Sequence, residues 1–208
     1  MIRLSRLLWP FPFGVRLGWL STSASNPDPG RARGWVFLLR GNGIVFSRGF
    51  RVLCDELRRC GVWAEDLRCI GDRWACRHLR AEQQAGRLRQ PIIFVGHSCG
   101  GRYSLYGAHE LQKAGITVDL IVCLDVALPP PVPGNVKCAL NLYRAGPRLY
   151  PARPLIAAPG SSAEITNIEL NAADSPINAN GLHHLNITDS PTVQALVLAR
   201  ILETLSEW

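Results

Sequence analysis

From residue 34 onward, short apolar runs alternate with stretches that carry apolar residues at helical spacing. Trp35-Val36-Phe37-Leu38-Leu39, Ile92-Ile93-Phe94-Val95 and Val118–Leu124 are continuously apolar but for Asp119, and turn or polar residues bound them. That is the pattern of strands buried on both faces. Val62–Asp66, Cys138–Tyr143 and Glu164–Leu170 read as weaker strands. Between them, Phe50, Leu53, Leu57 and Cys60 share one face of a helix capped by Ser47 and stopped by Gly61. An arginine-rich helix from Asp72 to Ala85 has Trp74 and Leu79 as its anchors, and another runs from Ser98 to Ala114 before Gly115. Ser190-Pro191 opens a last helix whose buried stripe is Val193, Leu196, Val197, Ile201 and Leu205. This alternation predicts a three-layer α/β/α sandwich around a mostly parallel sheet of about six strands.

Composition narrows the reading. A chain of 208 residues with 47% hydrophobic content can bury one sizeable core, so one domain is expected. The net charge of +7 comes without a block of basic residues interleaved with aromatics, which argues against a nucleic-acid partner. The seven cysteines have no metal-ligand spacing and most fall at core-facing positions, so neither a disulfide framework nor a metal is expected. No organic cofactor is indicated either.

Residues 1–33 differ from the rest. Arg3 and Arg6 precede an apolar stretch from Leu7 to Leu20, and Ser21-Thr22-Ser23-Ala24-Ser25 follows. Basic, apolar, then small is the layout of an export signal, although Pro10, Pro12 and Arg16 interrupt it. The apolar part falls short of the roughly 20 residues that cross a bilayer as an ordinary helix. We expect a targeting or anchoring segment ending in the turn-rich linker Asn26–Gly30, hence an exported or membrane-associated protein with weak membrane association through its N-terminus; the alternative is a cytoplasmic one. The domain proper is then 34–208.

The chemistry centres on Gly96-His97-Ser98-Cys99-Gly100-Gly101, placed between an apolar strand and a helix. A serine at such a turn takes a strained backbone conformation that lifts its hydroxyl above the sheet edge, beside the free N–H groups of the helix. The residues two before and two after it must be small, and they are Gly96 and Gly100. Ser98 is therefore the candidate nucleophile. Asp125 stands at the C-terminal end of the Val118–Leu124 strand, where functional groups of open parallel sheets gather. It is the first candidate for an acid that orients a histidine, and Asp174 is the second; Glu169 sits inside a strand, and Asp189 reads as a helix cap. His78 and His109 read as solvated helical residues, and His97 as shaping the pocket or packing at the elbow, its side chain pointing away from the serine.

On these residues, Gly-His-Ser-Cys-Gly-Gly above all, the chain from about Gly34 resembles the α/β-hydrolase superfamily, in particular its small bacterial lipases, esterases and thioesterases without a large lid domain. The resemblance implies a histidine base between the last strand and the last helix, matching His184 better than His183. It also implies an oxyanion hole made of the backbone N–H groups of Asn42 and Cys99, although the loop begins Arg40-Gly41 where the family often has His-Gly. The activity implied is hydrolysis of a small acyl ester, or of a thioester as second choice, through an acyl-enzyme. A hydrolase fold kept only for binding and an acyltransferase using the same three residues are the alternatives.

Overall fold

The computed structural model describes residues 24–42, 47–146, 151–177 and 179–208. Six strands, β1 (Trp35–Leu39), β2 (Trp63–Leu67), β3 (Ile92–His97), β4 (Val118–Leu124), β5 (Val136–Tyr143) and β6 (Glu164–Glu169), form one sheet in the order β2-β1-β3-β4-β5-β6. Every pairing is parallel. The helices are α1 (Gly49–Arg59), α2 (Asp72–Gln84), α3 (Cys99–Gln112) and α4 (Pro191–Ser206).

Two-sided burial explains the continuous apolar runs. Val36 and Leu38 of β1 pack with Phe50, Leu53 and Leu57 of α1 and with Val193, Val197 and Ile201 of α4. Trp35, Phe37 and Leu39 point the other way, into a second core with Ala75 and Leu79 of α2 and Leu105 and Leu111 of α3. The result is a three-layer α/β/α sandwich. Asp119 tolerates burial in β4 because its carboxylate accepts the Ile92 N–H at 2.8 Å and pairs with Lys137 at 2.7 Å.

The chain steps from β1 outward to β2, then returns to the other side of β1 to lay down β3. The strand order therefore reverses between β1 and β3, and the loops leaving these two strands diverge at their carboxyl ends. In open parallel sheets such a switch point is where a crevice opens.

Several local expectations change. Ser47 does not cap α1; its hydroxyl accepts the Gly41 N–H at 3.0 Å, and the N-cap position belongs to Arg48. Cys60 is exposed, and only Cys54, Cys76 and Cys123 of the seven free cysteines are buried, because the other four lie at helix ends, loops or the outer part of the sheet. Trp74 is not a buried anchor of α2: it is 39% exposed and stacks at the surface on Trp63 and His78, while Ala75 and Leu79 are buried. In α4, Leu196 is half-buried and Leu198 completes the buried stripe.

The targeting-like stretch Arg3–Ser23 lies outside the described residues. Among the described residues no helix is long and apolar enough to cross a membrane. The linker is tied to the domain. Asn26 Oδ1 accepts the Ala64 N–H at 2.8 Å and its Nδ2 donates to Glu65 at 2.7 Å, while Arg58 donates to the Ala24 carbonyl. β2 is an edge strand, and this side chain satisfies one of its outward-facing donors. Asn26→Ala leaves that donor unpaired and should cost about 1–2 kcal/mol in urea unfolding; an unchanged midpoint would show that water replaces the bond.

Candidate active site

Ser98 follows β3 directly, with φ 55° and ψ −123° as it enters α3. Its surroundings leave no room for side chains. A Cβ on Gly96 would lie 2.3 Å from the Gly101 Cα, one on Gly100 would lie 2.1 Å from the Leu39 carbonyl oxygen, and one on Gly101 would lie 2.2 Å from Val126. The sequence pattern accounts for the first two glycines; the demand on Gly101 is set by a neighbouring strand end that only the fold brings close.

Backbone strain gathers here. Ser47, Ser98, Asp125 and Leu128 are the non-glycine residues with positive φ among the described residues, at 67°, 55°, 51° and 48°. Three of them follow the carboxyl ends of β1, β3 and β4 and present polar side chains to one region. Such conformations persist only where the surrounding fold over-determines them.

Asp125 and His184 are brought together. The Asp125 carboxylate is fully buried; Oδ1 accepts the Arg144 N–H at 3.0 Å, and Oδ2 lies 2.8 Å from His184 Nδ1. Nδ1–H therefore donates to the carboxylate, leaving the lone pair of neutral His184 on Nε2. His183 turns elsewhere: it is exposed, and its Nδ1 accepts the Leu185 N–H at 3.2 Å. Asp174 is exposed. Glu169 receives the Tyr143 hydroxyl at 3.3 Å. Asp189 does not cap α4, whose cap is Ser190; it accepts the Gly49 N–H at 2.8 Å and so caps α1. Ser98 is half-buried and, among the described residues, its hydroxyl has no hydrogen-bond partner, so the contact with His184 Nε2 is not closed.

His97 is the residue that the sequence pattern undervalues. It is 1% exposed, and its ring centroid lies 4.8 Å from that of His184. Nε2 lies 2.8 Å from the His184 carbonyl oxygen, and Nδ1 lies 2.8 Å from the Ser47 hydroxyl. Its position before the serine identifies it only as an elbow residue; its partners lie 50 and 87 residues away in the chain.

Burial, and then the neighbouring His184 ring, push the His97 imidazole down from 6.5 to about 4, against smaller opposing effects of the hydrogen bond to the His184 carbonyl and of Asp125 and Asp189. A ring held neutral in the fold and protonated more readily when unfolded supports stability above pH 6.5, and that support is lost as pH falls from 6.5 toward 4. The gap corresponds to roughly 3 kcal/mol. Urea midpoints should therefore drop more steeply over this window in the parent chain than in His97→Gln, which takes up no proton there. Equal slopes would refute the assignment.

Gly41 and Asn42 lie in the loop after β1. A Cβ on Gly41 would meet His97 Nδ1 at 2.9 Å and Ser98 Cβ at 3.4 Å, so this loop passes against the elbow. Arg40 points away, where it forms a two-pronged pair with Asp66. Cys99 is the first residue of α3, whose leading N–H groups have no partner inside the helix. Its thiol contacts Cys69; burial first, then this neighbour, push it up to about 12, so it stays protonated at neutral pH.

His78 and His109 are only partly solvated. His78 is half-buried on Trp63, which lowers its pKa, and His109 Nε2 lies 3.0 Å from the Pro131 carbonyl oxygen. Among the described residues no group of three His, Cys, Asp or Glu is gathered as a metal site would require. A cavity of about 630 Å³ opens beside His183, lined among others by Arg144, Leu170, Ile177 and Leu182.

No protein-family model matches the chain, and no curated protein matches it. Among solved structures it is similar to a metagenome-derived lipolytic enzyme, with a TM-score of 0.49 and 12% identity over 85% of this chain and 95% of that one. It is similar to a thioesterase domain solved as a covalent complex with a fluorophosphonate nocardicin G analogue, with a TM-score of 0.48 and 12% identity over 83% and 94% of the two chains. The thioesterase of the prodiginine pathway of Streptomyces coelicolor gives a TM-score of 0.49 and 12% identity over 98% and 99%. An all-parallel sheet in the order β2-β1-β3-β4-β5-β6, with the glycine-walled serine turn between β3 and α3, gives this chain the α/β-hydrolase fold.

Proposed function

We propose that the protein is a serine hydrolase that cleaves a carboxylic ester, or secondarily a thioester, through an acyl-enzyme. The observation that carries this reading is the buried Asp125 carboxylate on His184 Nδ1 at 2.8 Å, beside the strained Ser98 turn. That bond leaves His184 Nε2 free to take the Ser98 proton as the hydroxyl attacks an acyl carbonyl. The negative oxygen of the tetrahedral intermediate is stabilised by the backbone N–H groups of Cys99 and Asn42, and by the N-terminal end of α3. His184 then protonates the leaving group. In the second half it takes a proton from water, whose oxygen attacks the acyl-Ser98 carbon; the bond from that carbon to Ser98 Oγ then breaks as His184 returns the proton to Oγ, and the acid is released.

Treatment with a fluorophosphonate followed by peptide mapping tests this directly. The phosphonyl group should be found on Ser98 alone, and rates across p-nitrophenyl esters and acyl thioesters then rank the substrate classes. A chain left unmodified would overturn the hydrolase reading in favour of a fold that only binds.

A further inference from the structure

We propose that His97 is a positioning residue, a neutral hydrogen-bond bridge that ties the backbone of His184 to the loop after β1 and so sets the base against the oxyanion side of the site. This rests on the hydrolase reading and adds to it a residue that touches neither substrate nor reacting atoms.

The direction of each bond in the bridge follows from donor chemistry. The His184 carbonyl oxygen, 2.8 Å from His97 Nε2, can only accept, so Nε2 carries the proton. Nδ1 of the neutral ring is then an acceptor, and the Ser47 hydroxyl 2.8 Å away donates to it. Ser47 Oγ in turn accepts the Gly41 N–H at 3.0 Å. One continuous path thus runs from Gly41, next to Asn42, through Ser47 and His97 to the backbone of His184.

The surroundings are built for this path. Ser47 holds a φ of 67° to bring its hydroxyl between Gly41 and His97. Gly41 leaves the ring its space, since a Cβ there would lie 2.9 Å from Nδ1. An apolar side chain would fill a site 1% exposed without the cost of burying an imidazole. The polar ring is explained by its two directional bonds. Protonation would turn Nδ1 into a second donor facing Ser47 and place a charge beside His184, with Asp125 and Asp189 the acidic groups that face it. The His184 loop is also held farther along, where Asp189 accepts the Gly49 N–H and Gln194 donates to the Thr188 carbonyl. Loss of the His97 bond should therefore shift the His184 segment without unfolding it.

Two replacements split the bridge. His97→Asn keeps an acceptor for Ser47 but cannot reach the His184 carbonyl, whereas His97→Gln keeps a donor reaching that carbonyl and gives up Ser47. Displacements of about 1 Å can cost around 100-fold. We expect kcat on a p-nitrophenyl ester and the fluorophosphonate labelling rate to fall together by about 30-fold or more in His97→Asn. KM should hardly change, the acid limb of the pH–rate profile should move, and His97→Gln should recover a large part of the loss. Ser47→Ala tests the other end and should lower both rates while leaving the near-UV circular dichroism intact. Folded variants that label within two-fold of the parent chain, with an unmoved profile, would overturn the proposal while Ser98 remains the labelled nucleophile. If the parent chain itself is not labelled, the hydrolase reading fails first and this proposal with it. A readout free of substitutions is the imidazole ¹⁵N spectrum of the intact chain. It should report the Nε2–H tautomer of His97 at neutral pH, and an Nδ1–H tautomer would refute the bridge.

Discussion

Ser98→Ala should give a folded chain that no fluorophosphonate modifies and that hydrolyses p-nitrophenyl esters at least ~10³-fold more slowly. The loss is large because in the proposed reaction the hydroxyl oxygen is the atom that bonds to the acyl carbon, and no neighbour can replace it. Cys99, the nearest thiol in the chain, is held protonated and faces Cys69. Folding should survive. Alanine carries the same Cβ into the turn at φ 55°, and among the described residues Ser98 Oγ makes no hydrogen bond whose loss would be felt. The residual rate expected is that of oriented substrate and oxyanion donors acting on water. Labelling or turnover at the parental level in Ser98→Ala would place the nucleophile elsewhere.

Asp125→Asn is expected to lower kcat by about 10²-fold or more. An asparagine can keep the bond from the Arg144 N–H, but its amide group then faces His184 Nδ1 where the carboxylate oxygen was. A donor there makes Nδ1 an acceptor and moves the ring proton to Nε2, the atom that receives the Ser98 proton in the proposed reaction. It also removes the negative charge that stabilises the imidazolium as it forms. Asp174→Asn is the control: that residue is exposed and should change kcat less than two-fold. Parental turnover in Asp125→Asn, or a large loss in Asp174→Asn, would reassign the acid.

Asp125 stands out in the amino-acid sequence because it ends a strongly apolar run. A run of that kind becomes a buried strand, and the residue after it emerges at the sheet's carboxyl end. The choice between His183 and His184 is a different problem. Adjacent loop residues have the same neighbours in sequence, and which ring turns inward depends on where the loop is pinned. Here the pins are Asp189 on the start of α1 and the His184 carbonyl on His97. Both contacts join segments far apart in the chain.

Polar residues near helix starts mislead for a related reason. Ser47 and Asp189 both fit a capping role, because a hydroxyl or carboxylate ahead of an amphipathic stretch is what caps a helix. Ser47 instead bonds Gly41 and His97, and Asp189 caps α1 rather than the helix that follows it. Local pattern identifies a residue able to satisfy a backbone donor but not which donor the fold brings to it.

Local pattern along the chain is enough for the layers, the strands and the turn around Ser98. Apolar runs buried on two faces and helices with one apolar stripe admit few arrangements, and the steric demand of a tight strand-to-helix turn is met by glycines only two residues away. Folding in three dimensions was needed to establish that β1 and β3 flank the switch point, that Val126 forces a glycine at 101, that His184 rather than His183 meets Asp125, and that His97 joins two loops. Backbone propensity and side-chain period act over a few residues and are written in the chain order. Hydrogen bonds between the carboxyl ends of separate strands depend on which strands lie side by side, and that is settled only when both cores have formed.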